Sequence, residues 1–263
     1  MNEILTRLPA RAWVLDLGCC TGSFPDSATA ATAVRVDLEG QGTGGLYLRA
    51  DAARLHFGDE CFDAVVLNHS LEHFDDLDGA LREIGRVVAR DGFVFVAVPD
   101  ASTVTDRLYR WLARGGGHVN SFISAAETGR MIESAIGLPV AATRVLCSSL
   151  SFLNRRNAPQ PGPRRLWLLG GGSEWSLFLY GWVSRRVDRW FGWRTSVYGW
   201  AFYFGTFPEA VDTKTRANVC LRCGGGAAAD CLVREGLVRF VLDTRVWRCG
   251  GCGALNPLAE ETV

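Results

Sequence analysis

Three acids in the first 51 residues stand where a nucleotide-like ligand could be gripped. Asp16 lies in the apolar run Val14-Leu15-Asp16-Leu17, directly ahead of the turn Gly18-Cys19-Cys20-Thr21-Gly22. The glycines allow a hard bend and let a ligand touch the main chain. Asp37 ends the run Val34-Arg35-Val36 and follows Gly18 by 19 residues. An acid about 20 residues past such a turn can accept from both hydroxyls of a ribose. Asp51 closes a third run, Leu48-Arg49-Ala50. A glycine turn alone is weak evidence, and each acid alone could be a solvated loop residue. The weight lies in the joint spacing.

A second set is made of sulfur. Cys220-Leu221-Arg222-Cys223 and Cys249-Gly250-Gly251-Cys252 are C-x-x-C pairs separated by 25 residues. Each pair can form a tight knuckle presenting two thiolates, and four thiolates close a tetrahedral zinc site with no open position. Zinc is therefore expected in a structural role, with Cys220, Cys223, Cys249 and Cys252 as ligands; a redox dithiol pair or an iron–sulfur site is the alternative. Between the pairs, Leu232-Val233-Arg234 and Val238-Arg239-Phe240-Val241-Leu242 read as strands. The stretch 213–263 resembles a zinc ribbon. Cys231 falls off the pattern, and Cys19, Cys20, Cys61 and Cys147 read as packing residues.

The elements that must position the acids follow from periodicity. Residues 2–11 read as a short leading helix or cap, 23–33 as a first crossover helix, and 39–47 as a glycine-rich loop. Phe62-Asp63-Ala64-Val65-Val66-Leu67-Asn68 is almost wholly apolar, as a central parallel strand is. Leu77, Ala80, Leu81, Ile84, Val87 and Val88 recur at helical spacing. Asp91-Gly92 breaks that helix, and Phe93 to Val98 is a fifth strand closed by Pro99. Ala125 to Ala135 reads as a helix ending near Gly137, 140–151 as a sixth strand, and Val197 to Phe204 as the last. Alternating strands and helices of this kind predict an α/β, doubly wound, seven-stranded, mostly parallel sheet.

At this point Asp16-Leu17-Gly18-Cys19-Cys20-Thr21-Gly22, Asp37, Asp51-Ala52-Ala53-Arg54-Leu55, Phe62-Asp63-Ala64-Val65, Leu71-Glu72-His73 and Glu83-Ile84-Gly85-Arg86-Val87-Val88 resemble, in order and spacing, the class I S-adenosylmethionine-dependent methyltransferases. The branch it is most similar to contains the ubiquinone/menaquinone-biosynthesis enzymes. The likeness covers residues 12–146. It implies that Asp16 and the backbone from Gly18 through Cys19 to Gly22 hold the methionine end of S-adenosyl-L-methionine. Asp37, with Leu38 beside it, would take the ribose. Asp51 would accept from the adenine amino group next to the Ala52 amide, and Asn68 and His69 would border the methyl-transfer site. Many relatives carry glycine where this chain has Cys20. His73 reads as structural. His118, ahead of the helix at 125, is expected at the acceptor with His69, although a polar helix-entry residue would explain it as well. The run Gly115-Gly116-Gly117 could be a hinge or a plain loop.

The domain is expected to span 1–212, with an insertion at about 152–196. A Pro/Arg-rich segment, Arg155 to Arg165, leads into it. Ser173 reads as the N-cap of a helix reaching Phe191. Six of the nine tryptophans (Trp167, Trp175, Trp182, Trp190, Trp193, Trp200) lie between 167 and 200, with Trp175, Trp182 and Trp190 roughly on one helical face. Eight arginines against Glu174 and Asp188 between 155 and 194 leave a local charge of +6 in a chain whose formal charge is +0. That pattern suits a helical cover, a peripheral membrane contact through 164–194, or a basic groove for RNA. The apolar stretch is too interrupted to span a bilayer.

The overall charge balance excludes a general attraction to nucleic acid. No secretory pattern opens the chain, so a cytoplasmic, reducing location, peripheral to the membrane at most, is expected. The function expected is methyl transfer to a small-molecule, lipid-linked or glycan-linked acceptor. One alternative is RNA or protein methylation with the ribbon as dock, although Asn68-His69-Ser70-Leu71 lacks the Asn-Pro-Pro-aromatic pattern of base amino-group methylation. The other is a non-catalytic cofactor-binding partner protein.

Overall fold

The computed structural model describes residues 1–20, 22–39, 46–112, 117–148, 150–156, 172–205, 216–241 and 244–259. Thr21, the expected loop at 40–45, Gly115 and Gly116, Trp167 and most of the Pro/Arg-rich segment lie outside the described residues. The chain divides into two compact units, one made of Met1–Pro99, Gly117–Thr143 and Trp200–Thr213, the other of Asp100–Gly116, Arg144–Gly199 and Lys214–Val263.

In the first unit, β1 (Trp13–Leu17), β2 (Thr32–Asp37), β3 (Leu46–Arg49), β4 (Phe62–Asn68) and β5 (Val88–Pro99) pair in parallel. Their order is β3-β2-β1-β4-β5. Leu15, Val65, Val66, Val94 and Val96 are fully buried on these strands, which is why Val14-Leu15, Ala64 to Leu67 and Phe93 to Val98 read as apolar runs. The helix α1 (Asn2–Leu5) buries Ile4 and Leu5. Asp76 caps α2 (Leu77–Val87) by accepting from the Gly79 amide, and α2 buries Ala80, Leu81, Ile84 and Val87. Helix α3 (Val104–Leu112) belongs to the second unit. Ser124 caps α4 (Ala125–Ile136), and Gly137 ends it in the left-handed conformation.

Beyond β5 the sheet continues through β7 (Val197–Phe204), β6 (Val140–Cys147), β8 (Ala217–Val219) and β9 (Gly226–Ala228), giving nine strands instead of the seven expected. The two additional strands are three residues each and carry no alternation to read. Tertiary bonds make β8 a strand: it pairs with β6 at Leu146 and Cys147, and buried Asn218 exchanges two hydrogen bonds with the Ala259 backbone. In the second unit α5 (Glu174–Phe191) starts at its Ser173 cap and reaches Phe191, as read from sequence, and Gly192 ends it in the left-handed conformation. A separate antiparallel sheet joins β10 (Val238–Val241), β11 (Thr244–Arg248) and β12 (Leu255–Pro257).

Three local expectations fail. The crossover helix at 23–33 is a single 3-10 turn, Asp26–Ala28, because Pro25 precedes it and Arg35 reaches back from β2 to the Phe24 carbonyl and the Asp26 carboxylate. β5 begins at Val88, and the pair Asp91-Gly92 lies inside it at a register shift opposite Phe62 and Ala64. Leu232-Val233-Arg234 ends a helix, α6 (Ala229–Arg234), which buries Ala229 and Leu232 three residues apart and pairs Asp230 with Arg234. A three-residue apolar stretch has the same appearance in either element.

Candidate functional site

The parallel strands of the first unit place the ends of β1, β2 and β4 along one edge, with β1 between β2 and β4. Strand order reverses there, and crevices at such reversals hold ligands. Gly18 sits at the pivot. Its φ is +67°, and a Cβ on it would meet Ser70 Cβ at 2.5 Å, so the turn after β1 closes on the turn after β4 only with glycine. The Gly18 amide donates to the Val36 carbonyl at 2.8 Å, which ties the turn to β2.

Asp16 is fully buried. Its Oδ2 accepts from the Ser23 amide at 2.8 Å, and Arg35 Nε lies 3.8 Å away. Its Oδ1 has no hydrogen-bond partner among the described residues. Burial pushes its carboxyl above the usual range, opposed by the Ser23 hydrogen bonds and the Arg35 charge. Asp37 Oδ2 accepts from the Cys20 amide at 2.8 Å and Oδ1 from the Glu39 amide at 3.0 Å. Cys20 takes a left-handed φ of +48°, the conformation glycine adopts readily. The Cys19 thiol, buried beside Asp16 and Asp37, is pushed up to about 12, chiefly by burial, and is no nucleophile at neutral pH. Gly22 has φ +117°, with Arg35 Nε against its open side. Leu38 is exposed past β2, and Ala52 is buried. The Ala50 amide donates to the Asp37 carbonyl, which brings Asp51 alongside; Asp51 Oδ1 accepts from the Ala53 amide at 2.9 Å.

Past β4, Asn68 is followed by His69, whose φ of +59° is held by its amide donating to the Ala97 carbonyl. His69 Nδ1 lies 3.7 Å from Glu72 Oε1. Burial, then the neighbouring His118 and His73, lower the His69 imidazole to about 4. His118 is buried with its ring edge-on to His73 at a centroid distance of 4.9 Å. The Glu72 carbonyl accepts from the Val119 and Asn120 amides, and Asn120 Nδ2 donates to the Leu71 and Phe74 carbonyls. His73 Nδ1 lies 3.0 Å from the Gly117 carbonyl. His69 and His118, 49 residues apart in sequence, are thus brought into one cluster with Glu72 and His73.

In the second unit the four sulfurs of Cys220, Cys223, Cys249 and Cys252 lie within 4.8 Å of one another. Cys220 Sγ is 3.6 Å from Cys252 Sγ, and Cys223 Sγ is 3.7 Å from Cys249 Sγ. Tetrahedral bonds of about 2.3 Å to a zinc ion put sulfurs roughly 3.8 Å apart, so the separations fit. The knuckles repeat one geometry. Gly224 and Gly253 both have φ +72°, and each donates its amide to the carbonyl of the first cysteine of its own knuckle. Hydrogen bonds from Cys220 and Cys223 hold the Cys249 thiol well below its usual range. Arg222, inside the first knuckle, donates to both Glu174 oxygens at 2.7 Å and to the Cys252 carbonyl at 2.8 Å.

Residues 15–96 match the family described as "Methyltransferase domain". The match covers 82 of the 263 residues, so the likeness to a methyltransferase domain belongs to that stretch. Among solved structures it is similar to a protein from Anabaena variabilis described as a methyltransferase of an antibiotic biosynthesis pathway, at 17% identity over 77% of this chain and 94% of that one, with a TM-score of 0.50. The YcgJ protein of Bacillus subtilis aligns at 18% identity over 77% and 95%, TM-score 0.45. The geranyl diphosphate C-methyltransferase of Streptomyces coelicolor aligns at 11% over 78% and 77%, TM-score 0.49. No curated protein matches this chain.

Two observations in the matched stretch suit a bound ligand: the buried Asp16 Oδ1 without a described partner, and the Gly18 cradle a side chain would fill. Sequence reasoning missed Arg35, Glu72 and Asn120. Each acts through contacts 11 to 49 residues away, which periodicity does not reveal.

Proposed function

We propose that the protein transfers a methyl group from S-adenosyl-L-methionine to a small-molecule, lipid-linked or glycan-linked acceptor, as the ubiquinone/menaquinone-type branch would. The observation carrying this reading is the convergence of Asp16, the Gly18 turn and Asp37 at the strand-order reversal. Bound S-adenosyl-L-methionine supplies a methyl group on a positively charged sulfur, open to attack by an oxygen, nitrogen or carbon nucleophile. Asp16 would hold the amino-acid end, with the backbone at Gly18, Cys19 and Gly22 close against it. Asp37 would accept from the ribose while its bond to Cys20 keeps the turn in place. Leu38, Asp51 and Ala52 would border the base, and Asn68 the approach to the acceptor.

His69 and His118 would face the acceptor in different roles. At about 4, His69 is an unprotonated imidazole at neutral pH and too weak a base to hold a proton there, so it serves as a hydrogen-bond acceptor that orients. His118 would take the acceptor proton where the acceptor carries one. Alignment of donor and acceptor supplies most of the rate in such a site. The four cysteines would hold a structural zinc, with residues 213–263 as the zinc-binding module of a 1–212 methyltransferase domain.

The test is calorimetric titration with S-adenosylhomocysteine. Micromolar binding that Asp37→Ala weakens ten-fold or more, with the fold intact by circular dichroism, is the expected result. No binding, or unchanged affinity in the variant, rejects the site.

A further inference from the structure

Helix α5 is apolar on two opposite sides. One side buries Leu177, Gly181 and Ser184, with Gly181 packed against Pro257. The other side carries Trp175, Leu179, Val183 and Trp190. At 100° per residue these four fall within roughly 80° of arc. They are 72%, 40%, 44% and 69% exposed. Phe191 and Trp193 extend the stripe past the helix end, also exposed, with rings 5.6 Å apart. Trp182, expected on this face, instead turns inward, donates to Thr244 Oγ1 at 2.7 Å and lies under the Arg186 guanidinium. The exposed stripe is therefore not spare core. Large apolar side chains exposed together along one helix face mark an interaction face.

Charge distinguishes the partner. Among described residues 150–156 and 172–195, six arginines (155, 156, 185, 186, 189, 194) stand against Glu174, Asp188 and, through its 3.0 Å pair with Arg194, Asp100, a balance of 6 − 3 = +3; the Arg185 guanidinium is buried, and Arg155, Arg156 and Arg189 are exposed. The other two acids are occupied: Glu174 by Arg222, Asp188 by the backbone and hydroxyl groups of Thr195 and Ser196. Tryptophan rings flanked by arginines, on a helix with five charged residues, suit the headgroup boundary of a bilayer. No helix among the described residues is long and apolar enough to cross one. Beside the stripe, a groove of about 340 Å³ lined by Leu150, Leu153, Trp175, Leu179, Tyr180 and Val183 offers an apolar seat for acyl segments.

We propose that the outer face of α5, from Trp175 to Trp193, binds the surface of anionic phospholipid bilayers, with the helix lying in the plane of the interface. This is independent of the methyl-transfer reading.

The test is flotation of the full chain with vesicles of phosphatidylcholine alone or with about 30% phosphatidylglycerol. The protein floats with the anionic vesicles and at least ten-fold less with the neutral ones, and 0.5 M salt weakens binding, as expected for arginine contacts. Its tryptophan fluorescence is quenched by brominated acyl chains. The triple variant Trp175→Ser/Trp190→Ser/Trp193→Ser loses binding at least ten-fold with unchanged melting temperature. Absence of flotation and quenching in the wild type overturns the proposal. So does full binding by the triple variant, or a wild-type dimer mass by light scattering that the triple variant abolishes.

Discussion

The glycine turn after β1 and the four-cysteine centre are both built from loops far apart in the sequence, yet they depend on their scaffolds in opposite ways. In the first unit Asp16, Gly18 and Asp37 ride on the edge of a parallel sheet of buried valines and leucines. In the second, the ligands are part of the core. Cys220 and Cys249 are buried in one cluster with Leu232, Trp247 and Ala254. The proposed cofactor would lie outside the packing of the first unit, whereas the four thiols belong to the packing of the second.

The largest effect should come from disrupting the proposed zinc site. Cys249→Ser, or a strong chelator, should cost several kcal/mol, since structural zinc contributes on the order of 10 kcal/mol in small zinc modules. Hydrogen exchange should rise across β10, β11 and β12 while β1 and β4 stay protected. Full zinc content with unchanged exchange in the variant would break the comparison.

Next come two glycines with the same backbone and different surroundings. Gly18→Ala meets Ser70 Cβ at 2.5 Å, whereas Gly253→Ala meets nothing within 4 Å, though both have positive φ. Gly253→Ala should cost only the conformational strain, about 1–2 kcal/mol. Gly18→Ala should cost more and abolish S-adenosylhomocysteine binding. Equal melting temperatures for the two variants would show that steric closure at Gly18 contributes nothing.

A smaller effect is pH-dependent. His69 titrates near 4 in the folded protein, below its ordinary 6.5, so the unfolded chain takes up the proton first. Its contribution is complete above pH 6.5 and is lost as pH falls toward 4, at most about 3 kcal/mol. His69→Asn, which tolerates the positive φ, should flatten the stability profile between pH 6.5 and 4; parallel profiles would reject this assignment. The smallest effect is at Cys20. Cys20→Gly relieves a left-handed φ but loosens the unfolded chain, so stability should change by less than about 1 kcal/mol. A larger loss in a thermal melt would mean that the Cys20 side chain contributes packing.

How much was legible can be traced element by element. β4, β7, α2, α4 and α5 carry their own signals: continuous apolar runs, helical spacing, Asp76, Ser124 and Ser173 as caps, and Gly137 and Gly192 as stops. Local chemistry decides such elements. The 3-10 turn at 26–28, the early start of β5, α6 and the two short strands β8 and β9 follow from partners that no local window contains. The same divide runs through the candidate site. Asp16, Asp37 and the C-x-x-C pairs stand at spacings that announce their chemistry, while Arg35, Glu72 and Asn120 act only because other segments come to them.

By itself the sequence determined β4, β7, α2, α4 and α5 and the four cysteines that come together, because backbone preference, hydrophobic period and C-x-x-C spacing are local. Only the tertiary structure decided that Gly18 closes against Ser70, that His69 is stripped of its proton by burial among other histidines, and that a tryptophan face of α5 stays exposed. Those outcomes depend on contact distance and solvent exclusion, which are set by segments remote along the chain.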